Sequence, residues 1–164
     1  MRKSNPDTWI EHCRNQKTLL DAIHFAALSE NTEGKRHPHQ YRLRKENMKT
    51  LEANLLNDVT SIRKVKYFDK LFKIVEAAAP KGIGDLMIYD TAVRIGAFLQ
   101  IIPDKIYLHA GTRIGLKKLV KNFTGDTINK NQLPEPLKSS NLTCFELEDL
   151  FAFIKMNYRS LKNG

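Results

Sequence analysis

Three segments of this chain carry residue types and spacings that could do chemistry. The first is Pro80-Lys81-Gly82-Ile83-Gly84-Asp85, where two glycines one residue apart follow a proline, between segments with helical apolar spacing. Glycine permits positive φ and close backbone approach. The amides of Gly82, Ile83 and Gly84 could therefore point outward beside a helix N-terminus, an arrangement that suits a phosphate oxygen. Ile83 would turn inward to pin the two helices, and Lys81 would add a cation. The competing reading is a tight turn between packed helices.

The second segment, Gly34 to Lys45, concentrates Lys35, Arg36, His37, His39, Arg42, Arg44 and Lys45 around one aromatic residue, Tyr41. Cations interleaved with a stackable ring suit a nucleic-acid backbone, with the cations on phosphates and Tyr41 as a base platform. A solvated loop entering a helix is the plainer alternative. His37 and His39 stand two apart and need further ligands that no spacing supplies, so no metal and no cofactor are expected.

The third segment is His109-Ala-Gly-Thr-Arg-Ile-Gly-Leu-Lys-Lys118. Thr112 is read as the cap of a basic helix whose open amides, with Arg113, Lys117 and Lys118, could make an anion site; a capped helix with a basic solvent face is the alternative. Gly115 would allow close helix packing. His109 could serve as an acid or base with Asp104 as its carboxylate, or could be a hydrogen-bonded structural residue. Elsewhere Asp85 is expected to cap a helix, and Asp90 with Arg94 to form an ordinary i,i+4 ion pair. Glu146, Glu148 and Asp149 make the C-terminal helix acidic, either as a solvated back or as a surface for a protein partner.

Elements that position these residues follow from apolar spacing. Asn5 and Pro6 are expected to open a first helix that runs to about Ser29, with Trp9, Ile10, Cys13, Leu20, Ile23 and Ala27 on one face. A polar loop at 31–40 leads to a helix over about 41–57. Val65 to Ala78 mark a third helix stopped by Pro80, and Leu86 to Leu99 a fourth. A basic helix from Thr112 follows a short extended or looped segment at 105–112. The last helix begins at a capping box of Thr143 and Glu146, with Leu142 and Leu147 as its staple, and Leu147, Leu150, Phe151 and Ile154 continue its stripe. No alternation of period two persists. The expectation is an all-α fold, a single compact domain over 1–164 with a hairpin-like core at about 66–122.

Composition is consistent with that reading. The 164 residues suffice for a core without disulfides. Lys and Arg number 27 against 18 Asp and Glu, a formal charge of +9 that favours polyanionic partners. Cys13 and Cys144 are expected to be free buried thiols. No apolar run reaches signal-peptide or membrane-span length, so a cytoplasmic protein with no membrane contact is expected.

An amphipathic helix, a Gly-hydrophobe-Gly turn and a second amphipathic helix resemble the helix-hairpin-helix element, which binds DNA backbone without reading sequence. About residues 66–122 resemble the DNA glycosylase superfamily built on that hairpin, in which the second helix leads through a short connection to a catalytic loop and a further helix. At the turn this chain departs from the family pattern, because Lys81 separates Pro80 from Gly82. The catalytic aspartate of the family would fall near Ala110 or Gly111, where there is no carboxylate, and Lys81 suits phosphate contact rather than nucleophilic attack. The stretch from Tyr89 to Gly115 also resembles uncharacterised bacterial helical proteins to which no activity is attached.

The expected function is therefore non-catalytic nucleic-acid binding, with DNA favoured, through the phosphate backbone. Lys81, Gly82, Ile83 and Gly84 would supply the hairpin contact, Arg113, Lys117 and Lys118 would extend it, and Lys35, Arg36, Arg42 and Arg44 would grip from the side. A regulatory or protein-interaction module with a glycosylase-like shape is the alternative. A glycosylase-like enzyme using His109 and Asp104 ranks below both, and it requires those two side chains to converge.

Overall fold

A computed structural model describes the backbone of residues 7–161 and the side chains of 7–155. The chain is mainly helical, with eight α-helices, two short 3-10 turns and two two-residue strands among the described residues. Its contacts divide it into two compact units, the first running through Ile102 and the second starting at Pro103. The hairpin-like core expected at 66–122 crosses that division. Asn5 and Pro6 lie outside the described residues.

In the first unit, α1 (Thr8–Arg14) is capped by Asp7, whose carboxylate accepts from the amides of Trp9 and Ile10 at 2.8 and 3.2 Å. The continuous helix expected as far as Ser29 is broken. Asn15 ends α1, and Thr18 caps a new helix, α2 (Leu19–Leu28), by accepting from the Asp21 amide at 3.1 Å. Side chains that bond nearby backbone compete with helix continuation, and Thr18 does so here. The break resets the helical face, so Leu19 is buried while Leu20, expected in the core, is exposed.

A 3-10 turn at Pro38–Gln40 precedes α3 (Lys45–Asn57), so the helix expected from about 41 begins four residues later. Then come α4 (Val59–Arg63), α5 (Phe68–Ala78) and α6 (Asp85–Leu99). Phe68, Leu71, Val75 and Ala78 fall on the buried face of α5, as their spacing predicts. Helix α6 is buried almost all round, from Met87 to Ala97, and packs against α1, α2 and α5. A helix apolar on most of its circumference belongs at the centre of its unit, and the polar exceptions on it are therefore informative.

The second unit is built on α7 (Ala110–Leu116) packed against α8 (Cys144–Leu161). Beside them lies an antiparallel pair, β1 (Ile106–Tyr107) with β2 (Thr127–Ile128), in which Ile106 opposes Ile128. Ile106, Leu108, Leu116, Ile128, Leu133, Leu147, Phe151 and Ile154 form its core. The capping box at the start of α8 is present: Thr143 Oγ1 accepts from the Glu146 amide at 3.2 Å, and Glu146 accepts from the Thr143 amide at 2.8 Å. The expected cap at Thr112 is not. His109 holds the N-cap position of α7, and Thr112 lies buried inside the helix. No described helix is long and apolar enough to cross a membrane.

Candidate nucleic-acid interface

The turn between α5 and α6 has a definite geometry. The Ile83 amide donates to the Pro80 carbonyl at 3.1 Å, and Gly82 has φ +99°. Positive φ at the third residue of such a turn is the type II conformation, and it favours the glycine that stands at 82. A side chain at 82 would be strained and would meet Asn47 Nδ2 at 2.5 Å. Gly84 has extended backbone and serves as the N-cap of α6, so Asp85, expected as the cap, is the first helical residue instead.

Ile83 is buried, as expected of a pin between the two helices, whereas Lys81, Gly82 and Gly84 are exposed. The Ile83 amide is spent inside the turn, which corrects the expectation that all three hairpin amides face outward. Asn47 Nδ2 donates to the Lys81 carbonyl at 3.2 Å, joining the first turn of α3 to the hairpin. Neither α3, entered at Arg44, nor α6, entered at Gly84, has a side-chain cap bond at its N-terminus.

The 31–45 loop is more built than its polarity suggests. Asn31 Oδ1 accepts from the amides of Glu33 and Lys35, both at 3.0 Å, and the Trp9 indole donates to the Lys35 carbonyl at 3.1 Å. Two of the cations assigned to phosphate are engaged within the loop. Lys35 pairs with Glu33 at 2.7 Å, and Arg36 donates to the Leu43 carbonyl at 3.2 Å. Arg42, Arg44 and Lys45 are exposed, and the Tyr41 ring is 64% exposed.

The 3-10 turn at Pro38–Gln40 brings a third donor to the two histidines. Ligand atoms of His37, His39 and Asp90 lie within 4.8 Å of one another, an arrangement that loop spacing alone could not show. The third donor that loop spacing did not supply stands on α6. Asp90 is no ordinary surface partner for Arg94. Arg94 is 2% exposed, its Nη1 donates to Ser29 Oγ at 2.8 Å, and its Nη2 stands 3.7 Å from Asp90 Oδ2. Buried Gln40 donates to the same Asp90 oxygen at 2.7 Å. Burial, then the Arg94 charge, holds the pKa of His37 below its ordinary value.

The cations of the second unit are partly committed. Arg113 donates to Asp126 at 2.8 Å, and Lys118 Nζ donates to the carbonyls of Ile154 and Lys155, both at 3.3 Å. Lys117 is exposed. His109 pairs with Glu148, and Asp104 is exposed, so the carboxylate at His109 is not the one expected. Thr112 donates to the same Glu148 oxygen at 2.5 Å. Glu148 is therefore a buried partner of α7 rather than part of an acidic outer face, and Glu146 is spent on capping. Sequence reasoning missed Glu148 because its neighbours Glu146 and Asp149 are exposed acids on the same helix.

The chain matches no protein-family model, no curated protein and no solved structure.

Proposed function

We propose that the first unit binds the phosphate backbone of nucleic acid, with DNA favoured, through the turn at Pro80–Gly84 and the start of α3. One observation carries the reading: the Asn47–Lys81 hydrogen bond brings a basic segment and the hairpin into a single neighbourhood. Lys81, Arg44 and Lys45 are exposed there, beside two helix N-termini that no side chain caps. Open amides and cations at a helix start attract a phosphate oxygen. Glu46 and Asp85 occupy the same first turns. Net attraction therefore rests on the three cations, and binding is weak, dependent on salt and indifferent to sequence.

Fluorescence anisotropy of a labelled duplex tests this across a series of salt concentrations. Lys81→Ala and Arg44→Ala, both at exposed positions, should each weaken binding and lower the salt slope by about one. An absence of binding at low salt, or unchanged slopes in both variants, sinks the reading. Gly82→Ala is unsuitable as a probe, because it strains the turn and strikes Asn47.

A further inference from the structure

We propose that His37, His39 and Asp90 form a binding site for one divalent transition-metal ion of the zinc class, which would tie the basic loop to α6. This inference is independent of the nucleic-acid reading and concerns different side chains. Its basis is the convergence of two imidazoles from the Pro38 turn with a carboxylate from α6, all three ligand atoms within 4.8 Å of one another. Donors about 2.1 Å from a shared ion stand about 3.4 Å apart at tetrahedral angles, so the set must draw inward somewhat to bind. His39 is exposed and can make most of that adjustment.

The other two ligands are mounted rigidly. The His37 backbone amide donates to the Ser29 carbonyl at 2.9 Å, and its ring meets the Trp9 ring edge-on at 4.6 Å. Asp90 is held through one oxygen by Gln40 at 2.7 Å, with the Arg94 guanidinium behind it, and both of those residues are buried. Outer partners of this kind orient a ligating carboxylate.

Arg94 also bears on the choice of ion. Its charge offsets that of Asp90, so attraction for a hard, oxygen-seeking ion such as Mg2+ or Ca2+ is small. The two imidazoles remain, and these favour Zn2+, Co2+ or Ni2+. Two histidines and one carboxylate leave at least one coordination position for water or another exchangeable ligand. One hydrogen bond must yield, because His37 Nδ1 accepts from the His39 amide at 3.2 Å. A metal on Nδ1 takes over that lone pair, and a metal on Nε2 requires the proton to move to Nδ1.

The test uses the full chain, free of any histidine tag and stripped with a chelator. Co2+ is titrated by visible absorption and Zn2+ by calorimetry. One ion per chain is expected, with bound Co2+ displaced by Zn2+ but not by excess Mg2+. His39→Ala, at an exposed position, and Asp90→Asn should each weaken binding by about tenfold or more. His24→Ala, which removes a histidine paired with Glu52, should leave it unchanged. Absence of one-to-one binding to the wild type, or undiminished affinity in a His39→Ala protein with unaltered circular dichroism, overturns the proposal.

Discussion

Arg94 Nη1 donates to Ser29 Oγ across 65 residues of sequence, at 2.8 Å, with both side chains buried. Ser29 is the left-handed residue that ends α2, at φ 52°, so the bond ties the end of one helix to the middle of another. Arg94 Nε, Gln40 Oε1 and Thr91 Oγ1 have no hydrogen-bond partner among the described residues. The charge of Arg94 is thus balanced mainly by Asp90. Removing the buried arginine leaves Asp90, itself only partly exposed, without its countercharge and leaves Ser29 Oγ without its donor. Arg94→Ala should destabilise the first unit by about 3–5 kcal/mol, and Ser29→Ala by about 1 kcal/mol, as read from urea unfolding midpoints.

Gly115 sits where α7 crosses α8. A Cβ there would lie 1.8 Å from the Phe151 carbonyl oxygen, a backbone atom that cannot turn aside. Gly115→Ala should cost about 3 kcal/mol or more and unfold the second unit first. Hydrogen exchange resolved along the chain would show amides of 103–161 losing protection while those of the first unit keep theirs.

Glu148 is 4% exposed and accepts from Thr112 Oγ1 and from His109. Thr112→Val keeps the shape but removes one donor from a buried carboxylate. A loss of about 1–3 kcal/mol is expected in thermal or chemical unfolding. Thr112→Ser, which keeps the hydroxyl, should recover most of it.

The Glu146 carboxylate is held below its ordinary pKa of 4.5, first by the Thr143 amide and then by the Thr143 hydroxyl. Its folded pKa lies below the unfolded one, so the folded state binds fewer protons in acid. The cap's contribution is complete above about pH 4.5 and fades as the pH falls through the lowered value. The stability gap between the wild type and Glu146→Ala should therefore narrow on acidification below pH 4.5.

Both cysteines are free thiols, yet they should differ in reactivity. Burial pushes the Cys13 thiol up to about 12, while half-buried Cys144 is raised by burial and then by the Asp104 charge. The thiolate is the reacting form. Alkylation at mildly alkaline pH should modify Cys144 first, and Cys13 only once denaturant opens the first unit. Mass spectrometry of the labelled peptides checks the order.

Local signals in the sequence were sufficient for several elements. The apolar spacing of α5, the Thr143–Glu146 box and the inward Ile83 all depend on residues within a turn or two of one another. The break at Asn15–Thr18 was less legible, because a Thr cap was set among apolar residues whose spacing also fits one unbroken helix. The same limit hid the entry to α7, where Thr112 has the type of a cap but is buried in the helix.

What only the tertiary structure decided is which charges meet. The spacing of Asp90 and Arg94 looks the same for a solvated pair and a buried one. It is the burial of α6 by α1, α2 and α5 that takes Arg94 out of water and aims it at Ser29. His37 and His39 were two donors on a loop until α6 contributed Asp90. Likewise Glu148 reads as one acid among three until α7 packs on α8 and supplies His109 and Thr112. Periodicity records which face of a helix is apolar, but the partner of a polar side chain depends on contacts between segments far apart in the chain.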